Sequence, residues 1–145
     1  MSSAVIVLSA VVAALLLATA IGVAINRRSG ALREVAQESV QDTSDLGLSR
    51  TGPTVVHFSA VWCGPCASVR RVVNQVCAEL RDVAHVEIDV DANPVAARRL
   101  AVLSLPTTLV FDADGTLRYR SAGVPKAADL RSALHRYWLD RPPTG

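Results

Sequence analysis

Residues 54–66 read TVVHFSAVWCGPC, and this stretch decides the fold. Its first half holds Val55, Val56 and Phe58 in a nearly continuous apolar run, which is typical of a strand buried on both faces. From Cys66 onward the apolar residues are spaced by three and four, which predicts a helix with one buried stripe. That stripe consists of Val69, Val72, Val73, Val76, Cys77 and Leu80. The sequence therefore predicts a strand, a tight turn and a helix, with two cysteines at the junction.

Cys63 and Cys66 are separated by two residues at this junction. That spacing lets one thiolate attack a disulfide while the other cysteine stays close enough to resolve the mixed intermediate. We expect Cys63 to be the exposed nucleophile, because the unpaired N–H groups of a helix N-terminus stabilise a thiolate. Cys66, one turn deeper, is then the resolving thiol. Gly64 is expected to permit the tight turn, and Pro65 suits a first-turn position that needs no N–H donor.

Two metal chemistries also use a CxxC pair, and the sequence disfavours both. A structural zinc site needs four ligands, and the chain has neither a second CxxC nor a closely spaced histidine pair. Covalent haem attachment requires a histidine directly after the second cysteine, where Ala67 stands. We therefore predict redox exchange by the two thiols themselves, with no metal and no bound cofactor.

Downstream of the motif, the apolar pattern alternates between strand and helix. Residues 86–90 alternate apolar and acidic side chains, as in a strand, and residues 95–102 predict a short helix. Two strands flank the turn at 112–115, and residues 125–138 predict a closing amphipathic helix. The order β-α-β-α-β-β-α describes an α/β domain with a central mixed sheet and helices on both faces.

The N-terminal segment is apolar and long. Residues 4–25 contain no charged residue, and about 20 such residues cross a bilayer as a helix. We therefore predict that residues 1–28 are a membrane anchor with one transmembrane helix at about 4–25. The alternative is a signal peptide, because Ala-Thr-Ala at 18–20 resembles a cleavage site. Against it, no Lys or Arg precedes the run, and the run continues past that site.

Basic residues beside the span set its expected orientation. Arg27, Arg28 and Arg33 follow the apolar run, whereas only the α-amino group precedes it. Because positive flanks stay inside, we expect a single-pass protein of the cell membrane whose catalytic domain is cytoplasmic. The opposite topology would place the same domain outside the cytoplasm and is the alternative.

Between the anchor and a catalytic domain at 50–142, residues 29–49 are expected to be a linker. They are polar and rich in turn formers. Residues 31–41 have a composition that would extend the membrane helix, and residues 46–48 are candidates for a small edge strand.

Charge and cysteine content exclude other classes. The net charge of +2 is spread over 15 basic and 13 acidic residues without a block of one sign. Nucleic-acid binding calls for a basic stripe with interleaved aromatic residues, so no nucleic-acid partner is expected. Three cysteines, two of them in the CxxC pair, disfavour a disulfide-stapled scaffold. Cys77, on the apolar stripe, is expected to behave as a small hydrophobic residue.

Four stretches, in order, resemble the thioredoxin family: TVVHFSAVWCGPC at 54–66, HVEIDVDANP at 85–94, SLPTTLVFDADGTL at 104–117 and SAG at 121–123. The agreement covers roughly residues 50–140. It implies a thioredoxin-like fold and a thiol–disulfide oxidoreductase that reduces protein disulfides through a Cys63–Cys66 disulfide. It also implies disulfide-containing protein substrates, and a thioredoxin reductase or a membrane electron donor that restores the dithiol. Members carry an extra strand and helix before the active-site strand, which we expect to be missing or reduced here.

The resemblance also implies a substrate groove. Pro106 matches the family's cis-proline, which faces the cysteine pair, and Leu105 and Thr107 would offer neighbouring backbone to an extended substrate. Trp62 would flank Cys63 and shield it from water. The alternatives are a simple edge-strand proline and a tryptophan that only fills the core.

His57 departs from the family pattern. The family usually places a buried aspartate at this position and often a lysine on the adjacent strand, where this chain has Glu87. We hypothesise that His57 and Glu87 face each other and relay a proton to or from Cys66 during resolution, because histidine titrates near neutrality. A satisfied strand histidine without a catalytic role is the alternative. His85 and His135 are expected to be surface or packing residues.

Two other functions stay open at this point. One is an extracytoplasmic thioredoxin-like protein that serves envelope-protein or cytochrome maturation. The other is a docking module that uses the groove around Pro106 with little turnover, against which the intact WCGPC argues.

Overall fold

The computed structural model describes residues 2–38 and 42–139. Its elements in chain order are α1 (Ser3–Arg28), β1 (Arg33–Glu38), a 3-10 turn (Ser44–Leu46), β2 (Thr54–Ser59), α2 (Cys66–Glu79), β3 (Ala84–Asp89), α3 (Pro94–Arg99), β4 (Thr107–Phe111), β5 (Leu117–Ala122) and α4 (Ala127–Leu139). The predicted order from residue 54 onward is confirmed. Residues 140–142 of the predicted domain lie outside the described residues.

The five strands form one mixed sheet in the order β1-β5-β4-β2-β3. β2 and β3 are parallel, and the other neighbouring pairs are antiparallel. The carboxyl ends of β2, β3 and β5 therefore meet the amino ends of β1 and β4 at one end of the sheet. Cys63 and Cys66 follow β2 at this end, which we call the CxxC end.

Successive residues of a strand point to opposite faces of the sheet, so each face has its own set of buried side chains. Helical elements cover both faces. On one face, which we call the α2 face, buried side chains of α2 and α4 pack on the sheet. This cluster includes Val55, Val69, Val73, Val76, Val110, Tyr119, Leu130 and Leu134. On the other, the α3 face, buried residues of α3 and the 3-10 turn pack on the alternate strand positions. That cluster includes Leu46, Val56, Phe58, Ile88, Ala96, Leu100, Leu109, Phe111 and Leu117.

The expectation that residues 31–41 extend the membrane helix is wrong. The chain leaves α1 through Gly30, whose φ of +82° is incompatible with a continuing helix. The Gly30 N–H donates to the Ala122 carbonyl at 2.5 Å, which leads the chain onto the edge of β5, where β1 forms with Arg33 paired to Arg120. The predicted linker at 29–49 thus contains a strand that completes the sheet.

The small edge strand expected at 46–48 is also wrong. Leu46 ends a 3-10 turn, and Gly47 follows in the left-handed conformation with φ +66°. The Leu46 side chain is buried on the α3 face, so this segment contributes packing and no strand pairing. Between α1 and β2 the described chain has one strand and one short 3-10 turn, in keeping with the expected reduction of the N-terminal unit.

α1 is a 26-residue helix without a single buried residue. Its most apolar 18-residue window has a mean hydropathy of 2.8, and none of that window is buried against the domain. At 1.5 Å per residue the helix is about 39 Å long, which exceeds the roughly 30 Å of a bilayer core. It is the one helix among the described residues that is long and apolar enough to cross a membrane, although a signal sequence passes the same test.

Candidate active site at the CxxC end of the sheet

Cys63 and Cys66 form a disulfide with a Cα–Cα distance of 5.5 Å. Cys66 is the first residue of α2, and its N–H donates to the Cys63 carbonyl at 3.2 Å. It begins the buried stripe of that helix and is only 2% exposed, whereas Cys63 is half-buried. An incoming partner therefore reaches the sulfur of Cys63 first, which fits the predicted division into nucleophile and resolving thiol.

Gly64 and Pro65 link the two cysteines. Pro65 has φ −65° and ψ −17° and directly precedes the first helical residue, so its ring conformation suits the helix start. Gly64 is not in the left-handed region, and a Cβ at this position would meet nothing within 4 Å. Gly64 is thus compatible with the predicted turn, but neither its φ nor its surroundings require a glycine there.

Trp62 lies on the surface beside Cys63. Its side chain is 68% exposed, which excludes the core alternative, and its Nε1–H donates to Asp91 Oδ2 at 3.0 Å. Asp91 follows β3, so this bond joins the two loops at the carboxyl ends of the parallel strands. Val61, just before Trp62, is 94% exposed. The ring and its neighbour thus form an apolar surface next to the reactive sulfur.

The peptide bond between Leu105 and Pro106 is cis, as predicted. Pro106 directly precedes β4, whose first residue Thr107 pairs with Phe58 near the end of β2. This register places the cis-proline at the same end of the sheet as the cysteines. The Pro106 carbonyl accepts a hydrogen bond from the Gly123 N–H at 2.8 Å, so the loop is held by the segment after β5.

The residues flanking the cis-proline turn their side chains inward. Thr107 is 3% exposed, and its hydroxyl donates to the Ser104 carbonyl at 2.7 Å. Leu105 is half-buried and packs against the α3-face cluster. If Leu105 and Thr107 bind substrate as predicted, they therefore do so through their backbone groups. Leu103, which the sequence analysis did not select, is 93% exposed in the same loop.

His57 is fully buried on the α2 face and pairs with Glu87 across the parallel strands. The Nε2 atom of His57 lies 3.5 Å from Glu87 Oε1, so the predicted facing of the two side chains is confirmed. That distance is too long for a hydrogen bond, and Nε2 has no other partner among the described residues. Glu87 in turn accepts hydrogen bonds from the Arg70 guanidinium at 2.5 and 2.7 Å and from the Ser59 hydroxyl at 2.8 Å.

The other nitrogen of His57 is engaged by His85. His57 Nδ1 lies 2.8 Å from His85 Nε2, and His85 Nδ1 lies 2.8 Å from Asn74 Oδ1. An amide oxygen only accepts, so Nδ1 of a neutral His85 carries the hydrogen and its Nε2 accepts from His57 Nδ1. The Nε2 of His57 is then left with a bare lone pair that faces the Glu87 carboxylate. This arrangement explains why no hydrogen bond forms there.

The charge states follow from burial and from neighbouring charges. Burial lowers the pKa of His57 to about 4, and the Glu87 carboxylate only partly opposes this. The hydrogen bond from Arg70 lowers the pKa of Glu87 to about 2, and burial also lowers the pKa of His85. Near neutral pH both histidines are therefore neutral and Glu87 is ionised. A proton that reached His57 Nε2 would be stabilised by the carboxylate beside it.

Contacts between α2 and β3 fix the level of Cys66 along the sheet. Arg70 of α2 contacts Glu87 of β3. Asn74, one turn later on the helix, contacts His85, two positions earlier on the strand. One helical turn and two strand residues both advance about 6 Å. One turn before Arg70, we therefore expect Cys66 to come level with the end of β2, where the Ser59 hydroxyl binds Glu87. On this reasoning the resolving cysteine lies beyond His57, toward the CxxC end, on the same face.

Several site residues were not found from the sequence. They are Ser59, Arg70, Asn74, His85 and Asp91. The expectation that His85 is only a surface or packing residue is incomplete, because it binds both His57 and Asn74. Arg70 and Asn74 are four residues apart on α2, which is the one sequence signal that places them on a common side.

Cys77 lies apart from this chemistry. It is half-buried at the edge of the α2-face cluster, and burial raises the pKa of its thiol to about 11. It therefore stays protonated and poorly nucleophilic. The described residues contain no group of three or more His, Cys, Asp or Glu side chains that could hold a metal ion.

A reachable cysteine and a shielded one, joined at the start of a helix and set beside a cis-proline, define a class of enzyme. They exchange a disulfide with a partner and hold the two electrons themselves. This site, on a mixed sheet with helices on both faces, is that of a protein thiol–disulfide oxidoreductase with a thioredoxin-like fold.

Comparison with known proteins agrees with this class. The family model "Thioredoxin" matches residues 36–136. Thioredoxin of Mycolicibacterium smegmatis is 45% identical over 93 residues, which cover 61% of this chain and 80% of that protein. Thioredoxin of Chlamydia trachomatis is 36% identical over 103 residues, covering 71% and 95%. The chain belongs to the thioredoxin family.

Solved structures show the same fold. A mutant thioredoxin from Halobacterium salinarum superposes with a TM-score of 0.59 at 30% identity, covering 74% of this chain and 91% of that one. Thioredoxin from Trypanosoma brucei brucei gives a TM-score of 0.57 at 27% identity, covering 72% and 89%.

Proposed function

We propose that this chain is a membrane-tethered thioredoxin that reduces disulfides in protein substrates. The Cys63 thiolate attacks one sulfur of a substrate disulfide, and the substrate's other sulfur leaves as a thiolate. Cys66 then loses its proton and attacks Cys63, which forms the Cys63–Cys66 disulfide and releases the second substrate thiolate. One observation carries this proposal: Cys63 is half-buried whereas Cys66 is 2% exposed, so only the first sulfur meets a partner.

The proton of Cys66 needs an acceptor during resolution, and we assign it to His57. Its Nε2 lone pair is buried on the sheet face beneath the start of α2 and is unpaired among the described residues. After proton uptake, the imidazolium would lie 3.5 Å from the ionised Glu87. Ser59 lies two residues after His57 on the same face of β2, and its hydroxyl donates to Glu87. This role takes the place of the aspartate that the family usually has.

The substrate surface in this proposal is the apolar patch of Val61 and Trp62 with the backbone at the cis-proline. An extended peptide beside Pro106 would find carbonyl and N–H groups of the flanking residues, whose side chains point inward. Exposed aromatic and aliphatic side chains at such a rim provide contact area without charge.

An electron donor must reduce the disulfide after each turnover. A relative of this chain, from Mycobacterium leprae, is named a bifunctional thioredoxin reductase/thioredoxin and is 39% identical over 85 residues, which make up 19% of that protein. A thioredoxin reductase is therefore the donor we propose for a cytoplasmic domain. A membrane electron donor would take its place if the domain lies outside.

The tether in this proposal is α1, as a single-pass helix of the cell membrane. Support comes from its length and from the absence of any buried residue along it. Arg27 and Arg28 in its last turn favour a domain on the cytoplasmic side. An enzyme for envelope or cytochrome disulfides would need the reverse topology. Paired reporter fusions after residue 145, one active only inside and one only outside the cytoplasm, decide between the two.

The activity is tested with the full chain in detergent, by following reductant-dependent reduction of insulin disulfides. We expect turnover by the wild type and by Cys77→Ser, and none above background by Cys63→Ser. Cys77→Ser is the matched control because it removes a thiol of the same chain outside the site. Equal rates for Cys63→Ser and the wild type would refute the proposed mechanism.

A further inference from the structure

The chain enters the sheet at the CxxC end. β1 begins at Arg33 beside Arg120, close to the carboxyl end of β5. From there, two hydrogen bonds lead to the substrate loop: Gly30 N–H donates to Ala122, and the N–H of the next residue, Gly123, donates to Pro106. The end of the membrane helix and the cis-proline are therefore neighbours.

The connection between α1 and the sheet is short and bonded. Only residues 29–32 separate Arg28 from Arg33, and four residues span at most about 14 Å when extended. Gly30 is needed for the close approach, since a Cβ there would lie 2.0 Å from the Val124 carbonyl oxygen and its φ is +82°. The domain is thus joined to α1 by a short connection that is held by a hydrogen bond and close packing at Gly30.

The length of the strands gives the distance between the two ends of the sheet. Strands of five or six residues are about 17–20 Å long, so the opposite end of the sheet lies about that much farther from the anchor. That end carries the turn at 112–115, whereas the cysteines follow the near end. If α1 spans the bilayer, the disulfide is on the membrane-proximal side.

The surface at this end exposes three large apolar side chains together with polar ones such as Asp91. Val61, Trp62 and Leu103 are 94%, 68% and 93% exposed, and tryptophan is favoured at headgroup level. A cavity of about 350 Å³ where α1 meets β1 is lined by Arg28, Arg33 and the partly engaged Arg120. Guanidinium groups near a bilayer surface attract anionic headgroups.

We propose that the tether holds the CxxC end against the bilayer surface, and that its partner is a disulfide of a membrane protein within the interfacial layer. This inference rests on the proposed membrane span of α1. It narrows the substrate class of the proposed function, because a cysteine pair close to the membrane reaches Cys63 more often than one carried far above the surface. Tethering in one plane raises the effective concentration of such partners without any new contact.

Depth-dependent quenching of tryptophan fluorescence tests the orientation. The full chain with Trp138→Phe, which keeps Trp62, is reconstituted in liposomes that contain lipids spin-labelled near the headgroup. We expect strong quenching of Trp62. The matched control carries Trp62→Phe, Trp138→Phe and Asp114→Trp, which moves the single tryptophan to the exposed turn at the opposite end, and should be quenched at least twofold less.

A functional arm uses a co-reconstituted single-pass peptide with a disulfide directly above its span, and the same peptide with the disulfide raised on a rigid helical spacer of 30 residues. We expect the near disulfide to be reduced about tenfold faster. Insertion of a flexible 20-residue Gly/Ser segment between Ser29 and Gly30 should abolish this preference and leave insulin reduction unchanged.

The outcomes separate this inference from the proposed function. Release of the chain from membranes by alkaline carbonate, or loss of insulin reduction, would overturn the proposed function. A chain that stays in the membrane and reduces insulin, but shows equal quenching at both positions and no preference between peptides, would overturn the orientation alone. Stronger quenching of Trp62 together with the rate preference supports it.

Discussion

The two faces of the sheet are built from the same strands but differ in chemistry. On the α3 face the buried positions of β2 and β4 are mostly apolar, such as Phe58 and Leu109, with one buried threonine at the start of each strand, Thr54 and Thr107. On the α2 face apolar residues such as Val55 give way, toward the CxxC end, to His57, with Thr108 opposite it on β4. Both faces therefore have an apolar core, but part of the α2 face is polar.

The polar part of the α2 face is costly to maintain. His57 Nε2, Thr108 Oγ1 and Ser121 Oγ lie in neighbouring strands, are buried, and have no hydrogen-bond partner among the described residues. An unsatisfied buried polar atom costs about 1–3 kcal/mol. On the α3 face, by contrast, the buried hydroxyls of Thr54 and Thr107 both have hydrogen-bond partners. This difference supports the proposed part of His57 in the reaction of Cys66.

The largest effect should come from the apolar face. Phe111 is fully buried there and pairs with Thr54 at the end of the sheet away from the cysteines. We expect Phe111→Ala to lower the free energy of unfolding by about 3–5 kcal/mol, because truncation removes apolar burial and leaves a cavity. Denaturant titration of the oxidised chain measures this loss. A loss below about 1 kcal/mol would contradict the view that apolar packing on the α3 face contributes strongly to stability.

The buried histidine of the α2 face should make the free energy of unfolding depend on pH. The folded-state pKa of His57 is about 4, whereas an unfolded histidine titrates near 6.5, so the unfolded chain takes up this proton first. Stability that is fully present above pH 6.5 should therefore fall by about 3 kcal/mol as the pH drops to 4.

His57→Leu isolates this contribution. The variant lacks the titrating ring, so its unfolding free energy should change correspondingly less than that of the wild type between pH 6.5 and 4. Phe111→Ala serves as the control and should keep the wild-type pH dependence while being less stable at every pH. Parallel curves for His57→Leu and the wild type would show that His57 is not buried in its neutral form.

Resolution of the mixed disulfide should depend on the same ring. General-base assistance contributes about 10²–10⁴ in rate, so we expect His57→Leu to slow the attack of Cys66 on the mixed disulfide by about a hundredfold at pH 7. The first attack by Cys63 should change little. Single-turnover kinetics with a chromogenic disulfide separate the two steps, and equal slowing of both would contradict a specific role in resolution.

The smallest effect should come from the residue that orients the ring through His85. Asn74→Ala removes the acceptor for His85 Nδ1 and should slow resolution about fivefold, which corresponds to one hydrogen bond of about 1 kcal/mol. The nitrogen chemical shifts of His57 should show loss of the single Nδ1–H tautomer. Gln75→Ala, at the next and equally exposed position, is the control. An unchanged tautomer in Asn74→Ala would refute this orienting role.

The sequence predicted the elements from residue 54 onward because their periods are local and strong. The strand–turn–helix around Cys63 follows from a continuous motif, whereas the cis bond before Pro106 and the facing of His57 and Glu87 follow from the resemblance to a known family. These features depend on residues that are close in sequence, or on a strand register that the chain shares with the family.

Other features depend on which distant segments meet. β1 contains one apolar residue besides alanine, Val35, among polar helix formers, so it forms a strand only because the edge of β5 offers unpaired backbone groups. His85 looked like a surface residue, and its role appears once β2, β3 and α2 bring it between His57 and Asn74. The tight junction at Gly30 likewise follows from its contact with Val124, far along the chain.

The most direct test of the account is to trap the covalent intermediate. The full-length Cys66→Ser variant in detergent is mixed with a disulfide-bonded protein substrate, and the adduct is mapped by mass spectrometry. We expect a stable mixed disulfide through Cys63, released by added reductant, and none with Cys63→Ser. An adduct through Cys77, or no adduct with Cys66→Ser at all, would contradict it.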